Sequence, residues 1–140
     1  MADYPKPALT ADAVIFTDAE PPALLLIRRA NDPFAGQWAL PGGFVDEQER
    51  TRSAAKRELK EETGLEVHDL DLVGIYDTPH RDPRGWTVSA TYWGVVPEGT
   101  EVRGSDDAGE ARWFPIDKLP SLSLAFDHDE IVRDALVLLG

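Results

Sequence analysis

Apolar positions along the chain fall into short runs separated by turn residues. Leu9–Thr17 and Ala23–Arg29 are two such runs, parted by Asp18-Ala19-Glu20-Pro21-Pro22, which predicts strand, turn, strand. After an Asn31–Gly36 loop, the short apolar piece Trp38–Leu40 ends at the Pro41-Gly42-Gly43 break. From about Glu47 to Thr63 the pattern turns helical, and Gly64 suits a C-terminal cap. Asp71–Tyr76 and Trp86–Val96 are rich in β-branched and aromatic residues and predict strands around the polar loop Asp77–Gly85. A polar stretch, Arg103–Glu110, leads into a short strand at Ala111–Phe114. Asp127 is placed to cap a last helix whose Ile131, Ala135, Leu138 and Leu139 keep helical spacing. Strands mixed with two helices predict an α/β fold with a mixed sheet between helices.

No repeat or low-complexity segment interrupts this pattern, and 140 residues suit one domain, 1–140, with residues 1–8 as a loose N-terminal arm. The content of 42% hydrophobic and 9% aromatic residues suits a folded chain. Fourteen Lys+Arg against 26 Asp+Glu give a formal net charge of −12, which argues against nucleic acid and anionic membrane as partners. The lack of cysteine excludes a disulfide frame, zinc thiolates and thiol catalysis. Apolar runs too short to span a bilayer, and a start without a signal-peptide pattern, lead us to expect a cytoplasmic protein. Concentrated carboxylates also suit hard divalent cations.

The helix itself carries that last idea. With Glu58 at zero on a helical wheel of roughly 100° per residue, Glu61 falls near −60° and Glu62 near +40°. The three acids therefore share a side with Thr51, Ala54 and Ala55, while Arg50, Arg52, Lys56, Arg57 and Lys60 occupy much of the remainder. Acids grouped with small, packable residues repel one another and call for a positive partner. Arg57, to the side, is one candidate; Mg²⁺ or Mn²⁺ is the better one. The same acids also suit an ordinary solvated helix with pairs along its surface.

The residues around the acids extend the pattern. Gly43, five residues, Glu49, seven residues, then Arg57-Glu58-Leu59-Lys60-Glu61-Glu62-Thr63-Gly64-Leu65 resembles the Nudix box at every specified position. The resemblance runs from about Ala13 to the end, and it implies an α/β/α sandwich that cleaves a nucleoside diphosphate linked to another group. It further implies that Glu58, Glu61 and Glu62, with the carbonyl of Gly42, bind Mg²⁺ or Mn²⁺. Arg57 and Glu49 match the pair that orients the helix, and Gly43 and Gly64 are fixed positions of the motif. A carboxylate must accept the proton of the attacking water. Glu58, Glu61 or, from a later loop, Glu110 can serve, so the base stays open.

Outside the box, Arg28–Gly36, Ala39–Asp46, His80–Ser89 and Leu124–His128 are similar to the ADP-ribose pyrophosphatase branch, which implies ADP-ribose as substrate and AMP plus ribose 5-phosphate as products. Arg29 matches a position that often meets substrate phosphates. Arg81 and Arg84 suit phosphate or ribose, Asp82 can accept from ribose hydroxyls, and Trp86 suits stacking on adenine or packing in the core. A second arrangement pairs Arg81 with Asp82 inside a rigid loop. His68, His80 and His128 lack metal-ligand spacing and are expected to be structural or solvent-facing; Trp38 and Trp113 are expected in the core.

Two other readings stand beside this one: a house-cleaning triphosphate pyrophosphatase, and a non-catalytic ADP-ribose sensor regulating transcription. A sensor is expected to add a DNA-binding part, for which 140 residues leave no room. By analogy with related enzymes, a homodimer is an expected form.

Overall fold

The computed structural model describes residues 3–105, 108–121 and 123–140. Its elements run β1 (Ala8–Thr17), β2 (Ala23–Arg28), β3 (Trp38–Ala39), β4 (Gly42–Phe44), α1 (Thr51–Thr63), β5 (Asp71–Tyr76), β6 (Thr87–Val96), β7 (Glu110–Pro115), a 3₁₀ segment Ile116–Ser121, and α2 (His128–Leu139). Asp106 and Asp107, part of the polar stretch expected before β7, lie outside the described residues.

β1 organises the sheet. It runs parallel to β6 over its whole length, Ala8↔Thr87 to Thr17↔Val96, so the intervening chain must cross over. Its other edge is shared: β2 meets it antiparallel at Phe16↔Leu24, and β4 at Thr10↔Phe44 through Asp12↔Gly42. β7 and β3 both pair with β2, and β5 closes the far side on β6.

Alternation along β1 feeds two cores, because successive side chains of a strand point to opposite faces. Ala11, Ala13 and Ile15 pack with Ala54, Ala55 and Leu59 of α1. Val14 and Phe16 pack with Ile131, Val132 and Ala135 of α2. The sheet thus lies between two helices, in the α/β/α arrangement expected. Trp38 and Trp113 pack against these cores, as the sequence suggests.

Three boundaries differ from the pattern-based reading. α1 starts at Thr51, not near Glu47, because Gln48 adopts φ 63° and the 46–49 segment closes as a turn. β4 arises at a Pro-Gly-Gly sequence that reads locally as a break; pairing with β1 overrides that tendency. Asp127 sits at the start of α2 but its carboxylate makes no capping bond, being bonded to Arg81 instead. Gly64 ends α1 with φ 76° and donates its N–H to the Lys60 carbonyl, as expected.

Candidate active site

A cavity of about 650 Å³ opens where β1, β4 and the flank of α1 meet the 81–84 loop and the start of α2. Its wall includes Gly42, Gly43, Glu58, Glu61, Glu62, Arg29, Arg81, Asp82 and Arg84, so nine of the residues singled out from the sequence converge.

The glycines make the acid wall possible. A Cβ on Gly43 would stand 2.6 Å from the Glu58 carboxyl carbon, and one on Gly42 would stand 2.0 Å from Asp12 Oδ1. Only bare backbone lets these two carboxylates approach so closely. The Gly42 N–H donates to Glu62 Oε1 at 2.8 Å, tying the end of α1 to β4.

The positive partner the acids require is present within the chain. Arg57 donates to Glu49 at 2.9 Å through two nitrogens, to Glu58 at 2.7 Å and to the Phe44 carbonyl at 3.1 Å, and stands 3.4 Å from Glu61. The wheel set Arg57 to the side; its long side chain lies along α1 and reaches both acids. These bonds hold Glu49 down at about 2 and push Arg57 above its ordinary value. Glu49 and Arg57 stand outside the cavity lining, behind the acids they bond or approach.

Glu62 and Asp12 are not neutralised in this way. Burial, reinforced by Glu58 and Asp12, pushes Glu62 up to about 8, against the bond from Gly42. Burial raises Asp12 to about 7, with Arg81 opposing. Burial also raises Glu58 despite Arg57. Three carboxylates thus share one cavity with a deficit of positive charge, a donor set that fits a hard divalent cation. Among the described residues no group of three or more Asp, Glu, His or Cys side chains is placed to hold a metal ion by itself. Mg²⁺ is commonly held by one or two carboxylates with water and ligand phosphate, so an open set is suitable.

On the opposite wall two of the three arginines, Arg81 and Arg84, are ion-paired, and Arg29 donates to the Pro33 carbonyl at 2.7 Å. Arg81, its side chain 5% exposed, is bonded twice to Asp127 at 2.9 and 2.6 Å and donates to Ser89 at 3.0 Å. Its guanidinium is bonded to these partners while the residue lines the cavity. The alternative pairing with Asp82 fails: Asp82 is paired with Arg84, at 2.8 Å, and accepts the Arg84 N–H at 2.9 Å. Burial favours the neutral acid at Asp82, but Arg84 outweighs it and the group lies below its ordinary value.

Arg84 and Arg29 converge on Phe126, at 5.5 and 5.0 Å from the ring centre, and Arg84 also lies over Phe44 at 4.9 Å. Burial and the neighbouring Arg84 lower Arg29 from its usual value. Phe126 takes φ 54° and meets Phe34 edge-on at 4.7 Å, so a strained residue forms the aromatic part of the wall. Arg29 follows β2 and lines the cavity, whereas Arg28 bonds the Gly36 carbonyl on the exposed side, as strand alternation predicts.

Two expectations do not meet this site. Glu110 lies in β7, ion-paired with Arg112 and outside the cavity lining, because pairing of Glu110 with Arg28 carries it along the β2 edge. Trp86 is 54% exposed, neither in the core nor on the main cavity; with Pro79, His80, Pro83 and Gly85 it borders a second, smaller hollow. Conversely, pattern reasoning passed over Asp12, Ser89, Phe126 and His128 as site residues. Asp12 offered one signal, a lone acid inside the apolar run of β1.

Several known proteins are similar to this chain over most of its length. An ADP-ribose pyrophosphatase of Methanocaldococcus jannaschii is 45% identical over 131 residues, 94% of this chain and 74% of that one. An ADPR responsive transcriptional repressor, NtrR, of Acinetobacter baylyi is 37% identical over 142 residues, covering 99% of this chain and 57% of its own length. Among solved structures, the NUDIX domain of Shewanella oneidensis NrtR complexed with ADP ribose superposes with a TM-score of 0.91 at 30% identity, over 98% of this chain and 91% of that one. A bifunctional NMN adenylyltransferase/ADP ribose pyrophosphatase from Francisella tularensis, complexed with AMP and a Mn ion, gives 0.82 at 26% identity, over 99% of this chain and 44% of that one. The NUDIX domain family model matches residues 6–135. With the full box running from β4 through α1, and that match spanning every strand of the sheet, the chain belongs to the NUDIX family.

Proposed function

We propose that this domain is a hydrolase that cleaves ADP-ribose to AMP and ribose 5-phosphate, using Mg²⁺ or Mn²⁺. One observation carries the reading: under-neutralised Glu58 and Glu62 face the same cavity as Arg29, Arg84 and the Phe126 ring. A diphosphate needs positive charge around it, and a nucleoside needs an aromatic or hydrogen-bonding surface beside it. The ADP-ribose and pyrophosphatase descriptions of the relatives support the same substrate.

The Gly42 carbonyl and the carboxylates of Glu58, Glu61 and Glu62 would hold the metal. Bound there, it would supply charge neutralisation at the phosphates and a more acidic water. Arg57 and Glu49 fix the carboxylates on α1, and Arg29 contributes a guanidinium toward a phosphate. Water adds to one phosphorus as the bridging P–O bond breaks, and the proton it loses passes to a carboxylate of the 58–62 turn. We give Glu110 no part in this step, a reading that its pairing with Arg112 supports.

The chain spans 57% of the NtrR repressor, so binding of ADP-ribose without cleavage is the second reading. The absence of a nucleic-acid partner is likewise our proposal, resting on the charge of −12. Among the described residues, no helix is long and apolar enough to cross a membrane.

A substrate panel with Mg²⁺ separates the readings. AMP released from ADP-ribose faster than any triphosphate is cleaved is the expected result. Preference for a triphosphate overturns the substrate, and tight ADP-ribose binding without AMP release supports the sensor.

A further inference from the structure

His128 is buried, 5% exposed, yet it lines the cavity beside Phe126, whose ring centre lies 5.4 Å away. Its Nδ1 receives the backbone N–H of Leu40 at 3.0 Å. A backbone N–H can only donate, so Nδ1 must present a lone pair, and the ring proton must sit on Nε2. A protonated ring would set N–H against N–H at Leu40. The imidazole is therefore neutral, with one tautomer, and the bond to Leu40 ties the start of α2 to the segment that leads into Gly42.

We infer that His128 gives its Nε2–H to a hydrogen-bond acceptor of the bound nucleotide and so serves as a ligand-binding residue of the cavity. The inference rests on the ADP-ribose reading above. The shared chemistry is a lone pair, and a nucleotide offers it on a base nitrogen or a phosphate oxygen. Burial, which holds the ring down at about 4, keeps it uncharged at neutral pH. The wall then offers a donor of fixed direction, unlike the charged Arg29 and Arg84 beside it.

Two substitutions separate the ring's two nitrogens. Asparagine places its amide near Nδ1, so His128→Asn can still accept from Leu40 but lacks a donor at the Nε2 position. Glutamine reaches the Nε2 position, so His128→Gln keeps a donor but loses the acceptor for Leu40. ADP-ribose binding is measured by calorimetry in EDTA, where turnover does not intervene, together with thermal unfolding.

The expected result is an affinity loss of about tenfold for His128→Asn with a Tm near that of the unmodified protein. His128→Gln is expected to bind within about threefold but to melt about 3 °C lower, the shift that loss of one hydrogen bond produces in a chain of this size. Competition by inorganic pyrophosphate locates the acceptor: unchanged competition in His128→Asn assigns it to the nucleoside part, and weakened competition to a phosphate oxygen. ADP-ribose affinity unchanged in His128→Asn, or lost in a folded His128→Gln, overturns the inference. If His128→Asn does not fold, the glutamine variant decides alone. Unmodified protein that ignores ADP-ribose overturns the substrate reading and this inference with it, whereas normal binding left intact by His128→Asn overturns this inference only.

Discussion

On one wall of the cavity, Gly42 holds Glu62 across 20 positions of sequence, and Gly43 makes room for Glu58. On the other, Arg81 reaches Asp127 across 46 positions, and His128 reaches Leu40 across 88. The two walls also differ in charge. Glu58 and Glu62 are raised by burial even with their partners in place, while Arg81 and Arg84 are each matched by a carboxylate. The acid wall is therefore set up to gain from an added cation and loses stability without one. The basic wall is finished in a narrower sense: Arg81 and Arg84 each have a carboxylate partner within the chain.

The largest effect should come from the acid wall and should fall on turnover. Glu62→Gln keeps size and shape, and its oxygen can still accept from Gly42, but the charge is gone. We expect kcat for ADP-ribose under Mg²⁺ to fall by at least about a hundredfold, the scale seen when one element of transition-state charge stabilisation is removed. Thermal stability should not fall, because the buried carboxylate disfavours the folded state when ionised. Activity within a few-fold of the unmodified protein would remove Glu62 from the metal site and erase the contrast between the walls.

The opposite wall should answer in stability first. Arg81→Ala leaves Asp127 and Ser89 without their guanidinium partner, and breaking such a pair typically costs about 3 kcal/mol. Chemical denaturation of Arg81→Ala, Asp127→Asn and the double variant measures the coupling. A double variant less destabilised than the sum of the singles is expected. Simple additivity would mean that the pair contributes nothing as a unit.

The same division explains what is legible in the sequence. The box is local: its glycines, its Glu49–Arg57 pair and its three acids lie in one stretch, and helical geometry alone groups the acids. The strands follow from apolar runs, and the two-sided burial of β1 is written in the unbroken apolar run from Ala13 to Phe16. Asp127 shows where local reasoning stops. Its position before α2 favours a cap, but a buried guanidinium brought in by the 81–84 loop is the stronger partner. Arg81 and Arg84 were legible as cationic residues near the site, yet their partners depend on how the loop folds back. The Pro41-Gly42-Gly43 break became β4 because β1 offered it a strand to pair with.

The finest test compares the walls through pH. Asp12 lies between them, beside Gly42 on one side and facing Ser89 and Arg81 on the other. Its carboxyl is near 3.8 when unfolded and is raised by burial to about 7 when folded, so the folded state binds the extra proton. The stability this provides is complete below about pH 4 and is lost as pH rises through about 7. Glu62 has the same sign between 4.5 and about 8. His128, depressed by burial to about 4, has the opposite dependence: its contribution is present above 6.5 and lost as pH falls. Asp12→Asn removes the first titration and leaves the others. Measured by denaturant without divalent ions, the variant should gain on the unmodified protein by about 2–3 kcal/mol between pH 5 and pH 8. A difference that stays flat over that range would mean that Arg81 already compensates Asp12, which would then belong with the finished wall.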